Sequence, residues 1–151
     1  MLSAKKILQP KAIEASAPCR IDSGGTWDIK ALALPLQRIE PVTLNMALNL
    51  RTWVSLSLFR NGWVRVSSEG FPRGEEYPLD TVPFNSPFGL FFAAISHFGF
   101  HGLQVHIRSD SPVKSALGGS STALIALLKA LSKLSVAAGG KKPVSYTHLR
   151  A

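Results

Sequence analysis

The stretch Gly102–Lys142, GLQVHIRSDSPVKSALGGSSTALIALLKALSKLSVAAGGKK, decides how this chain is read. GLQVHI alternates apolar and polar residues, as a half-buried strand does. Ser109–Gly119 follows as a loop containing Pro112 and the Gly118–Gly119 pair. From Ser120 to Ala138 the apolar residues recur at helical spacing, and Gly139–Gly140 with Lys141 and Lys142 end the run. Glycine favours a helix C-cap, and lysines suit the negative end of the helix dipole. The order is strand, glycine-rich loop, long helix.

That junction is a candidate anion site. Gly118 and Gly119 let backbone approach a ligand without Cβ interference. Ser120 and Ser121 add hydroxyls where the first helical N–H groups lack intrahelical acceptors and the dipole favours negative charge. Lys114 supplies a positive charge from the loop. A serine N-cap on an ordinary turn has the same look. The loop is not a Walker A element, because no Gly-Lys-Ser/Thr follows at the required spacing.

Working outward, Val42–Leu50 and Thr52–Phe59 read as two strands. Asn61–Gly62 then predicts a tight hairpin into Trp63–Val66, because both residues tolerate the positive φ of a type I′ turn. Ser68–Pro83, rich in Pro, Gly and acids, reads as a surface loop. Asn85 or Ser86 is placed to cap a helix running through PFGLFFAAISHF to about Gly99. β-structure followed by α-β-loop-α gives an α+β fold.

Composition sets the bounds. The 151 residues, 46% hydrophobic and 17% charged, fit one globular domain. The net charge of +8 suits a polyanionic partner such as a phosphorylated metabolite, nucleic acid or anionic membrane. Basic residues are scattered through the first hundred positions rather than forming a stripe with interleaved aromatics, which speaks against nucleic acid. One cysteine, Cys19, allows no internal disulfide and fits a reducing compartment. Met1–Pro18 lacks the apolar core of a signal peptide. No stretch reaches the roughly 20 uninterrupted apolar residues of a membrane span. The expectation is a cytoplasmic protein without a membrane partner. His97 and His101 have helical metal-ligand spacing but no third ligand, and His106 reads as a strand residue.

SPVKSALGGSSTALIALL resembles the second motif of the GHMP kinases, Pro-x-Gly-x-Gly-Leu-Gly-Ser-Ser-Ala. Pro112, Leu117, Gly118 and Ser120 match it; Gly119 stands where the first Ser is usual, and Lys114 and Ala116 replace two glycines. Near the amino terminus, APCRIDSGGTWDI resembles the family's first motif as found in heptose- and fucose-type sugar kinases, Pro-x-Arg-Ile-Asp-Leu-x-Gly-Gly-Trp-x-Asp. Pro18, Arg20, Ile21, Asp22, Gly24, Gly25 and Asp28 fit, with one residue fewer between Arg20 and Asp28.

The resemblance spans about Ala17–Ala138. It implies a domain like the second domain of ribosomal protein S5, and transfer of the ATP γ-phosphoryl group to a sugar or sugar-phosphate hydroxyl with Mg²⁺. Lys114, Leu117, Gly118, Gly119, Ser120 and Ser121 are then expected to hold the nucleotide, with Ser120 also on Mg²⁺. Arg20 is expected to act in catalysis by facing phosphate, and Asp22, Gly24, Gly25 and Asp28 to bind the sugar. Arg20 and Asp28 should approach the loop in space. The rival readings are a mevalonate- or homoserine-type acceptor, or an S5-like RNA-binding module.

No Asp or Glu follows Asp110. The family's catalytic Asp and third glycine motif are therefore expected downstream, residues 1–142 to be a truncated ATP-binding domain of low turnover, and 143–151 a non-native tail.

Overall fold

The computed structural model describes residues 2–23, 35, 37–39, 44–112, 115 and 117–140. In chain order they form β1 (Leu2–Ser3), α1 (Lys5–Leu8), β2 (Ile13–Ser23), a 3₁₀ turn at Gln37–Ile39, β3 (Leu44–Leu58), β4 (Trp63–Ser68), β5 (Glu75–Pro78), a second 3₁₀ turn at Leu79–Thr81, α2 (Gly89–Phe98), β6 (Phe100–His101), β7 (Leu103–Ser109) and α3 (Gly119–Ala137). A five-stranded sheet in the order β2-β3-β7-β4-β5 carries the helices on one face, and β1 pairs with β6 apart from it. The α+β expectation holds.

β3 is one strand of 15 residues, not two. Every even position from Leu44 to Leu58 is apolar except Thr52, so the strand continues through Leu50–Arg51–Thr52, with an irregularity in its pairing to β2 between Ala47 and Arg51. Val54 and Leu56 of that face are buried, while Leu44 and Met46 near the start of β3 are exposed. Ala15 and Ala17 of β2, opposite Val54 and Thr52, and Cys19 are small buried side chains, and α3 packs against β2 and β3.

The expected Asn61–Gly62 hairpin is corrected. Gly62 does take φ +79°, but β3 and β4 are not paired with each other. β7 lies between them, antiparallel to β3 and parallel to β4. The Phe59 N–H donates to Gly102 O (2.9 Å) and the Gly102 N–H to Trp63 O (2.8 Å), so the start of β7 enters the gap between the two strands. Burial explains the choice: Leu103, Val105 and Ile107 are 0–4% exposed, and the central position suits them. The stretch expected to be a surface loop also contains β5, an edge strand ending at Pro78, where the missing N–H costs no ladder bond.

α2 starts at Gly89 with Phe88 as its N-cap, rather than at Asn85 or Ser86, and ends at left-handed Gly99. α3 starts and stops within one residue of expectation. Thr122, Ala123, Ala126, Leu127, Ala130, Leu131 and Leu134 make its buried stripe at helical spacing. Its end is a Schellman motif, with Gly140 N–H donating to Ser135 O (2.8 Å) and Gly139 N–H to Val136 O (3.0 Å). By length and composition alone α3 could cross a membrane. Its buried stripe, with three leucines and three alanines packed into the core, is that of a core helix.

Candidate functional site

α3 begins where β7 and the loop after it bring the chain back over the sheet. Its N-cap, Gly118, sits at φ +72°, a left-handed turn that glycine adopts without cost. The first intrahelical bond runs from Thr122 N–H to Gly118 O (2.9 Å), and no side chain caps the turn. The first turn holds no acidic residue, so nothing there offsets the positive end of the helix dipole. A Cβ built on Gly119 meets nothing within 4 Å. Backbone is therefore openly presented at the helix start.

What it faces is a cleft of about 820 Å³, within the range of small-molecule sites. One wall is polar: Thr52 from β3, Ser109 at the end of β7, Asp110, Ser111 and Ser115 from the loop, and Ser120 from α3. The facing wall is apolar, built from Phe71, Pro87, Phe88 and Phe91. The Phe71 and Phe88 rings lie 5.1 Å apart and tilted, and Phe88 and Phe91 6.2 Å apart. Phe88 and Phe91 are buried, whereas Phe71 is half exposed. Such a cleft fits a ligand with a flat apolar end and a polar or anionic end.

Asp110 is held away from free chemistry. Its carboxylate accepts from the Arg51 N–H (3.2 Å), Trp53 Nε1 (3.4 Å) and an Arg108 guanidinium nitrogen (3.3 Å). Glu69 is the other carboxylate on the lining. Among the described residues no cluster of three His, Cys, Asp or Glu could cage a metal ion. Mg²⁺ on a nucleotide takes most of its ligands from phosphates and water, and a Ser or Thr hydroxyl of a phosphate loop can be one protein ligand. The Ser120 hydroxyl at the cleft fits that mode. His101 is structural, its Nδ1 accepting the Gly62 N–H (3.1 Å), and His106 sits beside Ser67 (3.1 Å).

Of the residues singled out in the sequence, Leu117, Gly119 and Ser120 line the cleft, and Gly118 shapes the turn beside them. Ser121 is exposed on the first helical turn and is not part of the lining. Arg20 lies on β2 opposite Ala47, exposed, next in sequence to buried Cys19. Strand alternation turns it away from the face that carries α3, and it does not line the cleft. The backbone of Asp22 pairs with Asn45. Its side chain, together with Gly24, Gly25, Asp28 and Lys114, lies outside the described residues, so the expected approach of Asp28 to the loop does too.

The aromatic wall escaped the sequence reading, since Phe71 sits in a Pro- and Gly-rich segment and Phe88 precedes a helix. Thr52 did carry a signal. It is the one polar residue in the apolar alternation of β3, and it is 1% exposed.

Residues 88–148, from α2 through the loop and α3, match the family model of the GHMP kinases N terminal domain. Over those residues the chain is similar to that domain. Solved structures with the same fold include a candidate sugar kinase from Campylobacter jejuni (22% identity, TM-score 0.61, covering 82% of this chain and 41% of that one). The mevalonate kinase of Methanococcus jannaschii aligns at 14% identity and TM-score 0.65, covering 89% and 42%. The D-glycero-D-manno-heptose 1-phosphate kinase of Bacteriodes thetaiotaomicron aligns at 17% and 0.60, covering 85% and 50%. At these identities the likeness establishes the fold. The chain spans about two fifths to half the length of these structures. Comparison with curated protein sequences gives no significant match. The glycine-rich loop and α3, which carry the open helix start, fall inside the matched residues.

Proposed function

We propose that this chain is a GHMP kinase amino-terminal domain, the nucleotide-binding part of an ATP-dependent small-molecule kinase that phosphorylates a sugar or sugar-phosphate hydroxyl. The observation that carries the reading is the uncapped, acid-free start of α3 opening onto a cleft with one hydroxyl wall and one aromatic wall. In this reading the N–H groups of Gly119 and Ser120 receive the phosphates, Gly118 and Leu117 shape the loop, and Lys114 and Ser121 add charge and a hydroxyl at its edges. The Ser120 hydroxyl would hold Mg²⁺, which would supply positive charge to offset that of the phosphates. Phe71, Phe88 and Phe91 take the flat base.

The acceptor side is assigned to the end of β2 and the residues after it, where Asp22, Gly24, Gly25 and Asp28 bind the sugar; Arg20, on the other sheet face, takes no part in the transfer. Support comes from the Arg20–Asp28 pattern. An acceptor built on hydroxyl recognition also needs paired polar groups of this kind.

Isothermal titration of the chain with MgATP, and separately with a single-stranded RNA oligonucleotide at low and moderate salt, tests the proposal. Saturable MgATP binding that Ser120→Ala weakens is the expected result. RNA binding that falls steeply with salt, with no response to MgATP, would favour the S5-like RNA module instead. Titrating heptoses, fucose, galactose and mevalonate into the MgATP-saturated protein separates the sugar from the non-sugar acceptor.

A further inference from the structure

We propose that Ser115 is a further phosphate-binding hydroxyl of the cleft, positioned by Ser111, which itself stands on Ser109 and the buried Thr52. The proposal rests on the nucleotide reading above and deepens it.

Three buried polar residues stand out among the described residues, Thr52, Ser111 and Thr122. Thr122 is accounted for by the bond from its hydroxyl to Gly118 O (3.0 Å) within α3. The other two belong to one chain of hydroxyls. Thr52 Oγ1 and Ser109 Oγ lie 3.1 Å apart across the β3–β7 ladder, joining residues 57 positions apart in sequence. Ser109 Oγ accepts the Ser111 N–H (3.2 Å). Ser111 Oγ and Ser115 Oγ are 2.8 Å apart, the shortest link and the one that reaches into the glycine-rich loop. Thr52, Ser109, Ser111 and Ser115 all line the cleft.

Proton counting shows how the chain responds to a ligand. Both contacts of Ser111 are made when Ser115 donates to Ser111 Oγ (2.8 Å) and Ser111 donates to Pro112 O (3.4 Å). A charged acceptor beside Ser115 reverses this: Ser115 donates to it and accepts the Ser111 proton over the shorter contact instead. Ser115 lines the cleft that the α3 amino end opens onto, so a phosphate oxygen there is a suitable acceptor. A hydroxyl donating to a charged oxygen is the stronger class of hydrogen bond. Thr52 explains itself in the same way: a polar residue in an apolar strand face is tolerated because it props Ser109, and Ser109 fixes Ser111.

The test compares MgATP and adenosine binding to the intact chain and to Ser115→Ala, Ser111→Ala, Ser111→Thr and the Ser111→Ala/Ser115→Ala double variant. Losing one hydrogen bond to a charged oxygen is expected to weaken MgATP about tenfold or somewhat more. Each alanine variant should show that loss. The double variant should lose no more than either alone, because both remove one contact, and Ser111→Thr should restore binding. Adenosine affinity should stay constant, which a general folding defect would not allow. Unchanged MgATP affinity in Ser115→Ala, additive losses, or an equal loss for adenosine overturns the proposal while leaving the nucleotide reading intact. Absence of MgATP binding by the unaltered chain instead overturns the nucleotide reading. Amide hydrogen exchange then still judges the clasp: Ser111→Ala should speed exchange at Gly118–Ser121, and unaltered exchange there refutes it. Should Ser111→Ala fail to fold, Thr52→Val probes the same chain from its buried end, with the same expected loss.

Discussion

Gly118 and Gly119 are neighbours, yet alanine at each should do opposite things. Gly118 holds φ +72° at the N-cap of α3. An L-residue in that left-handed region costs roughly 1–2 kcal/mol. For a chain of this length, about 1 kcal/mol lowers Tm by some 3 °C, so Gly118→Ala should melt a few degrees early. Gly119 has ordinary helical backbone, and a Cβ there meets nothing within 4 Å. Ala in place of Gly inside a helix is worth up to about 1 kcal/mol of stability, less at the first turn. Gly119→Ala should therefore melt at the same temperature or slightly higher. Its new methyl, however, stands on the cleft lining where the phosphate has to approach the backbone. Losing that approach should weaken MgATP by about tenfold, the value of one hydrogen bond to a charged group. Thermal melts and calorimetric titrations of both variants are sufficient. A stable Gly119→Ala that binds MgATP as well as the parent would refute the assignment of that N–H to phosphate. An early melt of Gly119→Ala would refute the open space around it.

Three further outcomes follow from the packing. A Cβ on Gly89 overlaps the carbonyl of Phe84, so Gly89→Ala should lose roughly 1–3 kcal/mol in urea denaturation and blunt the aromatic wall through Phe88. Leu131 is fully buried on the α3 stripe, and Leu131→Ala should cost about 2–5 kcal/mol, read as a lower midpoint at unchanged slope. Asp110→Ala removes the acceptor of Trp53 Nε1 and of Arg108; it should change tryptophan emission and cost about 1 kcal/mol, while unchanged emission would contradict the contact.

The parts of this fold that could be read from sequence are those decided locally. α3 was legible because its apolar stripe, glycine start and glycine-lysine end agree with one another. β7 was legible because GLQVHI alternates. The strand partners were not. Asn61–Gly62 specifies a turn, and the turn is there, but the ladder that follows is chosen by burial of Leu103, Val105 and Ile107 between β3 and β4, which no local window contains. Arg51 hid the continuity of β3 because its charged side chain lies on the outer face, with Nε on Ser16 Oγ (2.9 Å). The polar half of the cleft was partly visible in Gly118–Ser121. The aromatic half was not, since Phe71 and Phe88 meet only through the β4–β5–α2 path.

The central claim is that the amino end of α3 and the cleft beside it bind nucleotide phosphate, and a titration of ¹⁵N-labelled protein with MgATP tests it at each amide. The account predicts the largest, saturable shifts at Gly119 and Ser120, a second group around Phe71 and Phe88, and little change on the outer sheet face at Trp53 and His106. Shifts confined to that outer face, or none at Gly119 and Ser120 at saturating nucleotide, would contradict it.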